Sequence, residues 1–247
     1  MSKGQPRKPA GTPAGGQWAR VAHAEADVDL GHRPRNRQPK LSVTKDGTKR
    51  WCLGKQLHRT DGPAVEYPDG AKEWYQHGVL HRTDGPAIEE VDGSKWWYQH
   101  GELHRDDGPA TERPGGTKEW HQHGRRHRLD GPAVEHADGD REWWVNGQLH
   151  RDDGPAGELS WAKSWYQHGQ LHRDDGPAVE KANGDKFWYQ HGQLHRTDGP
   201  AIEYKNGRKE WYQHGELHRD DGPAVERPDG VIEWWINGER VDPPIER

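Results

Sequence analysis

Cysteine, methionine and phenylalanine occur once each in the 247 residues of this chain, and no run of about 18 apolar residues exists. Cys52 alone cannot form an intramolecular disulfide, and a metal centre built on several thiolates is excluded. The lack of apolar runs argues against a membrane-spanning helix, and the first residues lack the apolar segment of a signal peptide. The expectation is a cytoplasmic protein suited to a reducing compartment. Only 29% of the residues are hydrophobic and the mean hydropathy is -1.35, too little for a thick core. Tryptophan, by contrast, is abundant, with 14 residues. A disordered chain is not so rich in large aromatics, so Trp is expected to supply most of the large buried surface.

Charge is divided unevenly. Residues 1 to 40 hold eight Lys or Arg against three acids, whereas the whole chain has a formal net charge of -5. A basic tail therefore precedes an array of roughly -10. Gly and Pro are dense in that tail, which is expected to be disordered over 1–40, with the array occupying 41–247.

The array is periodic. Aligned on His-Arg, the chain gives His58, His81, His104, His127, His150, His172, His195 and His218, at a constant interval broken by one step that is a single position shorter. A fixed period of about 23 residues signals a repeat architecture, here of about eight copies, the last partial or capping. Each copy carries three turn signals. Asp-Gly or Asn-Gly, as at Asp69-Gly70, is expected to form a two-residue hairpin loop with positive φ. His-Gly or Asn-Gly, as at His77-Gly78, gives a second turn. Asp-Gly-Pro gives a third, because Pro cannot donate to a ladder. The few residues between these signals are too short a run for helices. The short step falls in the copy PAGELSWAKSWYQHG, residues 155–169, which lacks the Asp-Gly. A deletion inside a strand would flip its side chains, so the missing residue is assigned to a hairpin tip.

Trp74, Trp97, Trp120, Trp144, Trp165, Trp188, Trp211 and Trp235 are assigned to one position of the unit, a structural aromatic row expected to form the core. The paired glycine turns favour antiparallel hairpins over the coils of a parallel β-helix, whose interior needs more aliphatics than each copy offers. The expected fold is all-β, an elongated tandem-repeat meander of antiparallel β-hairpins forming an open sheet.

The stretch EWYQHGVLHRTDGPAIEEVDG, residues 73–93, resembles the MORN repeat in its period, its Trp, its glycine turns and its closing Asp-Gly. The resemblance covers about residues 42–240. It departs from the usual unit where Arg82 and Arg105 follow the His, and in the added Asp-Gly-Pro-Ala, and is similar to a variant branch met in bacterial, phage and large-virus proteins. The resemblance implies a sheet of hairpins used for scaffolding, protein binding or membrane-lipid contact, with no activity of its own. Residues 7–19 resemble a recurrent N-terminal segment of actinobacterial and actinophage proteins.

The histidines invite a metal reading, since pairs such as His77 and His81 have zinc-ligand spacing for a helix. The Gly after the first His makes that segment a turn, and Asn146 and Asn237 replace that His in two copies. A turn position tolerant of positive φ explains both, so no metal and no cofactor are expected. The candidate binding residues are Arg59, Arg82, Arg105, Arg128, Arg151, Arg173, Arg196 and Arg219, each shortly before an Asp. They read either as an Arg-carboxylate ladder between neighbouring copies or as a stripe that grips an anion. The nearby acids disfavour duplex nucleic acid. Every His, Asp and Arg triad is copied along the array, and no nucleophile motif or phosphate-cradling loop is present, so no enzyme is expected. The leading expectation is a non-enzymatic scaffold whose partner is another protein. A sequestering protein for small anions or metal, anionic-membrane attachment through Arg33, Arg35, Arg37 and Lys40, and a homodimer stay open as alternatives.

Overall fold

The computed structural model describes residues 38–243. The expected disordered tail, with Arg33, Arg35 and Arg37, lies outside the described residues up to position 37. Lys40, assigned to that tail, instead opens the first strand, Lys40–Val43.

The described residues form strands and turns with no helix, and the strand pairings are antiparallel. Val65–Glu66 pairs with Lys49–Leu53 on one side and with Lys72–Glu73 on the other. Lys72–Glu73 then pairs with Ile88–Glu89, and that strand with Lys95–Trp96. The same step continues into a 20-stranded sheet. Between alternate strands the chain leaves this sheet to make a smaller hairpin, such as Tyr75–Gln76 against Val79–Leu80, and seven such two-stranded units line the array. The protein is thus an all-β repeat meander of successive hairpins. Antiparallel pairing between consecutive strands rules out a parallel β-helix within the described residues, because coils of that kind need every neighbour to run the same way.

The His-Gly turn behaves as the sequence indicates. His77 has φ 52° and Gly78 φ 83°, and Gln76 faces Val79 directly, so both loop residues occupy the left-handed region of a type I′ turn. Asn146 and Asn237 take the same conformation at φ 52° and 50°. Asn and His tolerate this region, whereas a β-branched residue does not. Replacing His77 by Val is expected to cost about 1–2 kcal/mol through backbone strain. His77→Asn should stay close to wild type in a urea melt, and equal losses for the two variants would refute this account.

The Asp-Gly loops differ from expectation. Gly70 alone has positive φ, at 103°, and the loop bonds run from Tyr67 N to Ala71 O and from Gly70 N to Tyr67 O. Pro68, Asp69 and Gly70 together make the loop, a type I turn closed by a left-handed glycine rather than a two-residue turn. Pro68 at the first turn position suits type I and not type I′, which needs φ > 0 there. The short copy then has a simple account. Leu159 pairs with Ala162 across a tighter loop of Ser160 and Trp161, while Gly157 still faces Ser164. Loss of one residue shortened the tip and left the register intact.

The core also departs from the reading. Its most completely covered positions are alanines of the Gly-Pro-Ala segments, with Ala64, Ala87, Ala110 and Ala133 all at 0% exposure. At Ala64, Ala87 and Ala133 the backbone is bonded on two sides: Trp51 N donates to Ala64 O, and Ala64 N donates to Glu73 O. The tryptophans assigned to the row are only half-buried. Two were also assigned to the wrong position. Trp143 and not Trp144 donates its N–H to the alanine carbonyl, at Ala156, while Trp144 pairs with Leu149 as Tyr75 pairs with Leu80. Trp234 likewise holds the row position in place of Trp235, whose carbonyl accepts from Arg219 N as that of Tyr75 accepts from Arg59 N. A Trp-Trp pair is ambiguous by composition, and strand alternation, which sends neighbouring side chains to opposite faces, resolves it.

Candidate functional site

Each candidate arginine sits in the same clamp. Below the guanidinium lies the indole of the same copy, for example Trp74 under Arg82 with 4.0 Å from Cζ to the ring centroid. The pairs Arg59–Trp51, Arg105–Trp97, Arg128–Trp120, Arg151–Trp143, Arg173–Trp165, Arg196–Trp188 and Arg219–Trp211 repeat it at 4.0–4.1 Å. In the guanidinium plane, Arg82 Nε donates to Asp84 at 2.9 Å, and Nη1 donates to Pro86 O at 3.0 Å and to Glu89 at 3.1 Å. The turn glycine closes the top: a Cβ on Gly85 would lie 2.8 Å from Arg82 Cζ. Gly85 is absent from the positive-φ residues, so glycine is required here by the arginine and not by the backbone. The Arg-Asp pair lies within one turn rather than between copies, because so short a span of chain cannot swing the carboxylate to a neighbour. The link to the next copy is made by Glu89.

This geometry has an electrostatic consequence. The Arg82 side chain is 19% exposed and Asp84 81% exposed, so the cation is enclosed and the carboxylates face solvent. The arginine hydrogen bond holds the Asp84 carboxyl below the usual carboxylate range, as it does at Asp107, Asp130 and Asp175. Between successive turns the edge is indented by grooves of about 600, 520 and 400 Å³, each floored by a row indole (Trp143, Trp120 or Trp97) and walled by these aspartates.

The His of each His-Arg pair locks adjacent copies together. His58 Nδ1 accepts the backbone N–H of His77 at 3.1 Å, and Gly78 N donates to Leu57 O. All eight His-Arg histidines accept such a bond at 3.1–3.3 Å, His127 and His218 from Asn146 and Asn237. An Nδ1 that accepts carries no proton, so the tautomer is fixed as Nε2–H. The imidazoles of His58 and His77 also meet, with centroids 4.5 Å apart. Sequence spacing pairs His77 with His81, whereas the ring that His77 meets is His58 of the preceding copy. Among the described residues no group of three or more His, Cys, Asp or Glu is arranged to hold a metal ion.

On the opposite side of the strands runs a second row, of Tyr75, Tyr98, Tyr166, Tyr189 and Tyr212, with Trp144 and Trp235. Carboxylates two positions earlier in the chain tie it down: Tyr212 Oη donates to Glu210 at 3.1 Å, Trp144 Nε1 to Glu142 at 2.8 Å and Trp235 Nε1 to Glu233 at 3.2 Å. Burial, with the adjacent carboxylate, pushes the Tyr75 and Tyr212 hydroxyls up to about 12. One copy breaks the row. His121 and Arg126 pair across the hairpin where others have Tyr and Leu, and Glu119 is buried between Arg126, at 3.1 Å, and Arg113, at 3.4 Å.

No family model matches the chain, and no curated protein matches it. Among the described residues no helix is long and apolar enough to cross a membrane.

Proposed function

We propose that this protein is a non-enzymatic, MORN-like repeat scaffold of the cytoplasm that presents an extended surface to another protein. The reading rests above all on the clamp: the groups repeated most faithfully, Arg, Trp, Gly and Asp, are occupied with one another inside each copy. Their repetition is accounted for by folding, and what remains outward is a periodic edge of aspartates and grooves. Repetition at one copy per hairpin pair gives a partner many equivalent contacts along one side, as in other repeat arrays. The sequestering alternative is disfavoured by the same geometry, since a guanidinium covered on both faces and bonded in plane has little left for an anion.

Stoichiometry tests the proposal. Native mass spectrometry of the protein isolated gently from its own host should show one macromolecular partner at a fixed ratio. A ladder of small equal increments, up to about eight, would replace the scaffold with a sponge.

A further inference from the structure

We infer that the copy at residues 109–131 is a docking site for a short acidic polypeptide segment, which enters on the Tyr-row face beside Arg113 and Arg126. This rests on the scaffold reading and specifies the kind of partner at one place along it.

The copy reverses the charge of its surroundings. Residues 109–131 hold five Lys or Arg against three acids, whereas residues 86–108 and 132–154 each hold two against six. The departures fall on one strand face. His121 replaces a row tyrosine, Arg126 replaces the leucine paired with it, and Arg113 stands where Tyr67 stands two copies earlier, before a Gly-closed loop. Glu119, at 9% exposure, gathers both arginines: Arg126 Nε and Nη2 reach the same oxygen, at 3.2 and 3.1 Å, and Arg113 Nη2 reaches the other. Two guanidiniums share one carboxylate, so a positive charge is left over. Arg113 is 53% and Arg126 38% exposed, and Arg126 Nη1 makes no hydrogen bond among the described residues. Beside them, the His121 side chain is 9% exposed and its Nδ1 is a buried atom with no partner. Arg126 also leans on Trp144, 5.2 Å from its ring centroid, so the site includes a large apolar surface.

Spare planar donors that converge beside an indole suit a carboxylate. The width of the patch selects the partner. Two strands per copy at about 4.8 Å each make a copy about 10 Å wide, close to the Debye length of about 8 Å in physiological salt. A flat anionic membrane would lie over the two acidic copies that flank this one and be repelled by them. A segment of a few Asp or Glu residues fits within the copy.

The test uses the full chain and an octaglutamate peptide, followed by calorimetry and by tryptophan fluorescence, which Trp144 should report. Saturation at one peptide per chain is expected, weakening as salt rises. The comparison variant restores what other copies already carry, His121→Tyr with Arg126→Leu, so a failure to fold is not a concern; folding is checked by its circular dichroism. Its affinity should fall about tenfold or more, the size of a lost charge-assisted contact. Equal affinity for variant and parent, or no saturation by about 1 mM peptide, would overturn the inference. So would binding to phosphatidylserine vesicles that the variant loses while the peptide binds neither protein. If a host partner is captured at a fixed ratio equally by parent and variant, the scaffold stands and this site does not.

Discussion

Gly85→Ala is expected to destabilise the array by about 2 kcal/mol, within the range of a clash that breaks a packed ion pair, although it adds one methyl to an ordinary backbone conformation. The added Cβ would sit 2.8 Å from Arg82 Cζ, and the guanidinium cannot withdraw cheaply. Moving it off Trp74 forfeits a cation–π contact of about 0.5–2 kcal/mol and loosens charged hydrogen bonds to Asp84 and Glu89, each about 1.5–3 kcal/mol before partial compensation by water. For a chain of this size the loss corresponds to a melting shift of about 4–8 °C. The control is Arg82→Ala: once the guanidinium is gone, Gly85→Ala should cost little, because Gly85 has no positive φ to relieve. A double-mutant cycle in urea therefore measures the clamp directly. Additive losses would mean that the glycine is needed for some other reason. The same cycle should hold at Gly131 with Arg128, where the Cβ would approach Cζ to 2.9 Å.

Mild acid is expected to have a larger effect, because it acts on several junctions at once. His58, His81 and His195 have their pKa lowered from 6.5, first by burial and then by the facing ring of His77, His100 or His214. When a folded-state pKa lies below the unfolded value, the unfolded chain binds more protons, and stability falls as pH drops. The histidine contribution is thus complete above about pH 6.5 and is lost progressively below it. Protonation puts a hydrogen on Nδ1, which then cannot accept the N–H of the next copy. At about 1 kcal/mol per hydrogen bond, the junctions at His58, His81 and His195 together lose about 3 kcal/mol. At His104, His150, His172 and His218 an aspartate lies 3.2–3.4 Å from Nε2, and one so placed beside His81 would oppose the lowering of its pKa. Copies with Thr at that place, at Thr60, Thr83 and Thr197, should open first. A melting temperature that declines from pH 7 to pH 5, and declines less in Thr83→Asp, is the expected result. A flat profile would mean that the Nδ1 bonds contribute nothing. A second loss should follow below pH 3.8, where the clamp aspartates, whose pKa is lowered, finally protonate.

Much of this was legible in the chain. The repeat period, the left-handed His-Gly turn and the site of the single deletion all follow from residues with restricted backbones, and such restrictions act locally. In the His-Gly and Asn-Gly turns the Gly announces positive φ, and Pro announces a missing donor. The Arg-Asp spacing was visible too, but the indole beneath and the glycine above were not, because the three come together only when the turn folds back over the small hairpin. The histidine lock joins positions separated by a whole hairpin of the large sheet, as His58 and His77 are, and uses a backbone donor, which leaves no signature in side-chain spacing. The basic copy was readable in principle: its signal is the set of places where the repeat fails, at Arg113, His121 and Arg126, and attention to the consensus hides it.

Residue order alone was enough to make the protein a β-repeat and to locate its turns, since both depend on steric limits that act between near neighbours in the chain. Packing chose which of two adjacent tryptophans faces the arginine, sealed alanine and not tryptophan at the centre, and assigned each carboxylate to its cation. Those choices depend on which face of a strand is covered, and a face exists only once neighbouring strands have paired.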